Sequence, residues 1–266
     1  KETKKIIIKV FFIYSFLTGI IFILFNFSGI RLFNSLNLAM TVSSAGAFLP
    51  TNSLSDIIKL TSQEIILSLS FIFSVLNIYF FYNCFSNFNN VKRHYEDVIV
   101  LGGIFLFSII LFFSIKGSSF LNIFLNVASS VSNSGISTYD PPENFYLLFI
   151  FLTIVGGSLI SNSAGIKFIR IYILFKSTIA ELFKLATPNI VINQKILNTE
   201  HKINNENLNS SFLIFICFFI SIFILSSILA AGGLNFENSF KLSILTITNT
   251  VNSSLYGLDE IIFLNL

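Results

Sequence analysis

Two short segments carry the residue types that could do chemistry in this chain. One runs from Leu36 to Gly46 and the other from Leu125 to Gly135, and six of their eleven positions are identical without a gap. Both close on small residues, Ser44-Ala45-Gly46 in the first and Asn133-Ser134-Gly135 in the second. A tight turn of small residues presents backbone carbonyls, and rings of carbonyls can replace the hydration shell of a cation. A helix ending at such a turn adds the partial negative charge of its C-terminus. Glycine accepts φ > 0 and lets the backbone approach closely. The chemistry these residues suit is coordination of a cation by uncharged oxygen.

Such turns need elements that hold them in place. Hydrophobic residues make up 54% of the 266, charged residues 11%, and the mean hydropathy is +0.82. Those values exclude an ordinary soluble domain and predict a multispanning, all-α membrane protein. Five uncharged runs stand out: Val10–Ile30, Ile65–Val91, Val98–Ile115, Asn144–Ile166 and Asn207–Phe236. A helix needs about 20 residues to cross the hydrocarbon core. The segments Phe33–Ser43 and Phe120–Ser132 are too short to cross and suit half-depth helices. A third such helix is expected over Asn238–Thr250, with Thr250, Val251 and Asn252 as its turn. Span, half-depth helix, turn and span is how a chain dips into a bilayer and returns. Irregular backbone at that depth survives where it is buried in protein or lines a wet cavity.

The fourth run contains a break. Gly156 and Gly157 are followed by Ser158, Ser161, Asn162 and Ser163, then Gly165 and Lys167, after which an apolar helix resumes. This predicts two helices joined by a polar loop at membrane depth. The loop's own hydroxyls and amide, or water, are expected to satisfy the freed backbone. The three glycines would act as hinges, and Lys167 would face the cytoplasmic mouth or pair with an acid. An ordered loop there would obstruct an ion path and act as a gate.

Charge sets orientation. Twelve Lys and Arg residues, among them Lys1, Lys92, Arg93, Lys167 and Lys195, fall on one side of the predicted spans, and Arg31, Lys59, Lys116 and Lys241 on the other. By the positive-inside rule the first side is cytoplasmic. Cys84 and Cys217 read as buried, inert thiols, and His94 and His201 as solvated loop histidines. No paired carboxylates, nucleophile–base pair or metal-ligand spacing lies in a span, so an enzyme is not expected. The polar stretch 184–209 has no glycine-rich phosphate cradle. No signal peptide precedes the first span, and the chain stops soon after the third turn, so we expect a fragment of a longer protein.

The stretch from Gly156 to Arg170 resembles a signature of the Trk/Ktr superfamily of potassium transporter subunits. It has the two glycines, a run of small residues, then Gly165-Ile166-Lys167 and Arg170. Residues 41–46 are similar to that family's second filter segment and 131–140 to its third, and 187–192 look like its basic cytoplasmic connection. The resemblance covers essentially the whole chain in collinear order. It implies repeated helix–pore helix–filter turn–helix units around one ion path, as in potassium channels. It implies a second pore repeat at 1–91, a third with a broken inner helix at 92–184, and a cytoplasmic loop with a truncated fourth repeat at 185–266. The first repeat and the last helix would be missing.

The resemblance further implies potassium as the transported ion, bound at the three turns, with no organic cofactor. It implies a homodimer in the bacterial inner membrane, a cytosolic nucleotide-binding regulatory subunit as partner, and no contact with nucleic acid. Ala47 and Ile136 stand where the family places an aromatic residue, and Asn252 where it places a glycine. These departures are the basis of an alternative, a non-conducting or weakly selective homologue that serves in assembly.

The orientation can be tested directly. Single cysteines at positions 140 and 143 should react with an impermeant reagent applied outside intact cells, whereas cysteines at 92 and 195 should not. Labelling of position 195 from outside would overturn the topology.

Overall fold

The computed structural model describes residues 2–51, 54–86, 94–187, 196–197, 203–250 and 254–258. Every regular element among them is helical. Three helices, α1 (Glu2–Phe27), α5 (Tyr95–Ser114) and α9 (Asn205–Ala231), are long and apolar enough to cross a membrane. The chain is a multi-pass membrane protein. These three helices expose most of their apolar side chains, as helices facing lipid tails do. Cys217 lies exposed on α9 and Cys84 is half-buried, so neither is the fully buried thiol predicted.

Each long helix is followed by a half-length one: α2 (Leu32–Ser44) after α1, α6 (Phe120–Ser132) after α5, and α10 (Phe236–Ile247) after α9. The short helices occupy the predicted segments within about three residues. α6 is the central one. Every residue from Leu125 to Ser132 is buried, and it packs on α3 (Thr61–Val75), α5 and α7 (Tyr146–Val155). Ser119 fixes its start by accepting the Asn122 N–H at 3.2 Å, a cap that satisfies one orphan donor of the first turn.

The two return segments are both broken. The run predicted from Ile65 is not straight: α3 stops at Val75 and the chain turns by 103° into α4 (Ile78–Ser86). The second return is α7, an irregular loop at 156–167, and α8 (Phe168–Ala186). A cavity of about 1060 Å³ opens between α7, α9 and α10. It is lined largely by apolar residues such as Ile150 and Phe219 and includes none of the predicted turn or loop residues.

Candidate functional site

The three half-length helices end in the same way. Ala45, Asn133 and Asn249 each adopt the left-handed conformation, with φ of 53°, 64° and 59°. The next residue then donates its N–H five residues back: Gly46 to Thr41 O at 2.9 Å, Ser134 to Ser129 O at 3.1 Å and Thr250 to Leu245 O at 2.8 Å. This wrap satisfies carbonyls that a helix C-terminus leaves open. Asn tolerates φ > 0 better than most residues. Ala45 does so at a cost of about 1–2 kcal/mol.

This geometry shifts the register read from the sequence. The identities pair Gly46 with Gly135, but the helix ends pair Ala45 with Asn133. The second helix ends one residue earlier in its copy of the repeat because Asn133 takes the left-handed position. Gly135 then follows one residue later and is itself left-handed, φ 64°. Gly46 is not in the left-handed region, so its lack of a side chain serves close approach there. In the third turn the left-handed residue is Asn249, ahead of the predicted triplet. Thr250 lies in this turn, while Val251 and Asn252 lie outside the described residues.

The turns meet one another. Asn249 Nδ2 donates to Ala45 O at 3.4 Å. A Cβ on Gly135 would lie 3.2 Å from the Tyr256 ring and 3.5 Å from Thr250. Asn133 also ties its turn to the second broken return, because its Nδ2 donates to Thr153 O at 2.8 Å. Thr153 is in the last turn of α7.

The loop at 156–167 is ordered by partners the sequence did not disclose. The end of α3 leaves the carbonyls of Ser74 and Val75 free. Ser158 N–H reaches Val75 O at 3.0 Å, and the N–H groups of Asn162 and Ser163 reach Ser74 O at 3.1 and 3.3 Å. In return Ile78 N–H, which starts α4, donates to Ile160 O at 2.9 Å. Each broken helix supplies what the other lacks. The loop's own hydroxyls contribute less than predicted; the clearest case is Ser163 Oγ, which accepts Gly157 N–H at 2.9 Å. Asn162 reaches α2 as well, its Nδ2 donating to Ser43 O in the last turn of that helix at 2.7 Å.

Glycine is required where these backbones touch. A Cβ on Gly156 would fall within 3.0 Å of Ala164 O, one on Gly157 would lie 2.5 Å from Val75 O, and one on Gly165 2.7 Å from Ile154 O. Gly156 and Gly165 also have φ of 66° and 80°. The glycines therefore permit contact, whatever they do as hinges. Lys167 points inward. Its ammonium donates to Ser161 O at 3.1 Å, Ser161 Oγ at 3.0 Å and Ser163 Oγ at 3.3 Å, and to Ser163 O. Its hydrogen-bond partners are thus loop oxygens.

Asp97 is the functional candidate that sequence reasoning missed. It sits in the first turn of α5 and is 1% exposed. Its Oδ1 accepts the Asn77 N–H at 2.9 Å and the Ser158 hydroxyl at 2.5 Å, so one carboxylate joins both breaks. Its Oδ2 lies 3.1 Å from His94 Nδ1, and His94 Nε2 is 2.9 Å from Asn83 Nδ2. His94 is thus part of this network and is not a solvated loop residue. His201 lies outside the described residues. Glu96 adds a further bond, accepting Leu159 N–H at 2.8 Å. The only signal in the sequence was an acidic pair, Glu96 and Asp97, just before an apolar run.

Comparison with known proteins identifies this arrangement. The structure superposes on the potassium transporter TrkH from Vibrio parahaemolyticus with a TM-score of 0.83, over 98% of this chain and 57% of that one, at 19% identity. The fold is that of TrkH. An uncharacterized cation transporter from Methanocaldococcus jannaschii is 24% identical over 245 residues, which cover 88% of this chain and 48% of that protein. The chain therefore spans about half the length of each. No family model matches it. The half-length helices, their left-handed turns and the broken returns are this chain's version of the TrkH fold.

Removal of the Asp97 carboxylate should loosen both breaks together. Asp97→Ala leaves the Asn77 N–H and the Ser158 hydroxyl without an acceptor, at a cost of about 1–3 kcal/mol for each buried group. The expected outcome is a drop in thermal midpoint on the order of 10 °C in detergent. Asp97→Asn retains one acceptor oxygen and should lose less. Equal, negligible losses for both variants would remove Asp97 from this role.

Proposed function

We propose that this chain is part of a channel-like transporter that moves a monovalent cation, potassium first, across the bacterial inner membrane. The observation that carries the proposal is the meeting of three left-handed helix-end turns, built on Ala45, Asn133 and Asn249. Helix C-termini and turn carbonyls favour a bare cation without a fixed negative charge. The two proteins it resembles, described as a potassium transporter and a cation transporter, support transport over an enzymatic role. The filter would comprise residues 44–46, 133–135 and 250–252. The loop from Gly156 to Lys167 would be the gate, a reading supported by the hydrogen bond that ties Asn162 to the end of α2. Residues 1–91, 92–184 and 185–266 would be the second, third and fourth pore repeats, with Lys1 on the cytoplasmic side. The assembly would be a homodimer above a cytosolic nucleotide-binding subunit, with potassium as cargo and no organic cofactor.

One observation favours a second function, a weakly selective or non-conducting homologue. Asn249 Nδ2 donates to Ala45 O, and a carbonyl engaged by an amide is less available to an ion.

Two experiments on the full-length protein separate these readings. Gly135→Asp places a carboxylate against Tyr256 and Thr250 on a left-handed residue and should abolish potassium-dependent growth of an uptake-deficient host. Normal uptake by that variant would show that residues 133–135 are not a filter. Deletion of residues 158–164 should raise tracer cation flux in liposomes several-fold with the same ion preference. Unchanged or lower flux from folded protein would leave the loop as a structural break only.

A further inference from the structure

Four oxygens of the loop surround the Lys167 ammonium: the carbonyl and hydroxyl of Ser161 and those of Ser163. An ammonium has three protons, fewer than the four oxygens that face it. A spherical cation has no such limit. The hydroxyls are also oriented by their other bonds. Ser161 Oγ donates to Ser158 O at 2.6 Å, and Ser163 Oγ accepts Gly157 N–H at 2.9 Å. The two hydroxyls share one further hydrogen bond at 2.9 Å. With Ser161 donating to Ser158, that shared proton comes from Ser163. Both hydroxyl protons then point away from the ammonium, and each oxygen turns a lone pair toward it. The result is two carbonyls and two hydroxyls converging as acceptors, the ligand set that replaces water around an alkali ion.

The backbone is strained where the lysine enters. Lys167 has φ 81° and ψ 134°, a region costing a non-glycine residue about 1–3 kcal/mol. Its N–H is held by Val155 O at 3.0 Å and its carbonyl accepts Arg170 N–H at 3.1 Å. Lys167 is 8% exposed. The ammonium is therefore delivered to these oxygens from a fixed backbone.

We propose that these four oxygens form a binding site for a monovalent alkali cation, and that the Lys167 ammonium is its tethered occupant in this conformation. The cage matches the size of an ammonium group and so suits the larger alkali ions. Lys167 excludes a free ion from the loop while it is docked. Withdrawal of the lysine frees a site one step beyond the turns. The place of this site in an ion path rests on the gating role proposed for the loop; the cage itself does not.

The test uses the full-length protein with Lys167→Met, crystallised in rubidium chloride and measured at the rubidium absorption edge. An anomalous peak bounded by the Ser161 and Ser163 carbonyls is expected in the variant and not in the parent. Adding Ser163→Ala to the variant should weaken the peak by removing one ligand. An ordered loop without a peak overturns the site. Folding supplies a second readout, the thermal midpoint in rubidium or potassium chloride against N-methylglucamine chloride. Lys167→Met should gain stability selectively from the alkali salts, by at least 5 °C more than the parent. Equal midpoints, or equal failure to fold in all three salts, also overturn it. A rubidium peak with no flux change on loop deletion would retain the cation site and remove the gate. Raised flux with no peak would do the reverse.

Discussion

Backbone N–H and C=O groups inside a bilayer must find partners within the protein, and this requirement governs the whole arrangement. A broken helix at membrane depth exposes several such groups, each costing several kcal/mol if left alone. Here two breaks are set against each other. Carbonyls of Ser74 and Val75 take the N–H groups of Ser158, Asn162 and Ser163. Asp97 then bridges two further donors, Asn77 N–H and Ser158 Oγ. Neither break is a local defect. Together they form one hydrogen-bonded unit whose halves lie more than eighty residues apart in the chain.

The turns obey the same requirement by another route. Each half-length helix closes on a left-handed residue and folds its last donors back onto its own carbonyls. The first remaining polar groups at these ends are shared between elements: Ser43 O with the loop, Ala45 O with Asn249, and Thr153 O with Asn133. The turns, the loop and the end of α7 are consequently mechanically joined. A change at one reaches the next through a single side-chain amide.

Much of this was legible in the sequence. The half-length helices were visible because small residues interrupt apolar runs too short to cross, and because the first two copies share identities. The loop at 156–167 was visible from its glycines and hydroxyls. The bend after Val75 was not, since Ser74-Val75-Leu76-Asn77 contains neither Gly nor Pro and its cause lies in a distant loop. Asp97 drew no attention in the sequence, since an acid at a helix start is ordinary. The one-residue offset between the first two turns was hidden because identity aligns side chains, whereas Asn133 decides where the helix stops. The hydrogen-bond partners of Lys167 were not foreseen because they are main-chain and hydroxyl oxygens, which leave no charge pattern to find.

The pairing of the two breaks also dictates an order of manufacture. Ser74 and Val75 leave the ribosome roughly ninety residues before Ser163. At about 5–20 residues per second, that interval is roughly 5–20 s. Throughout it the unfinished α3–α4 corner has no loop to receive its carbonyls. The corner must therefore wait in the aqueous lining of the insertion machinery or at the headgroup surface, or remain a continuous helix until its partner arrives. The sharp bend would then be a late product of biogenesis, made only when the 156–167 loop has arrived.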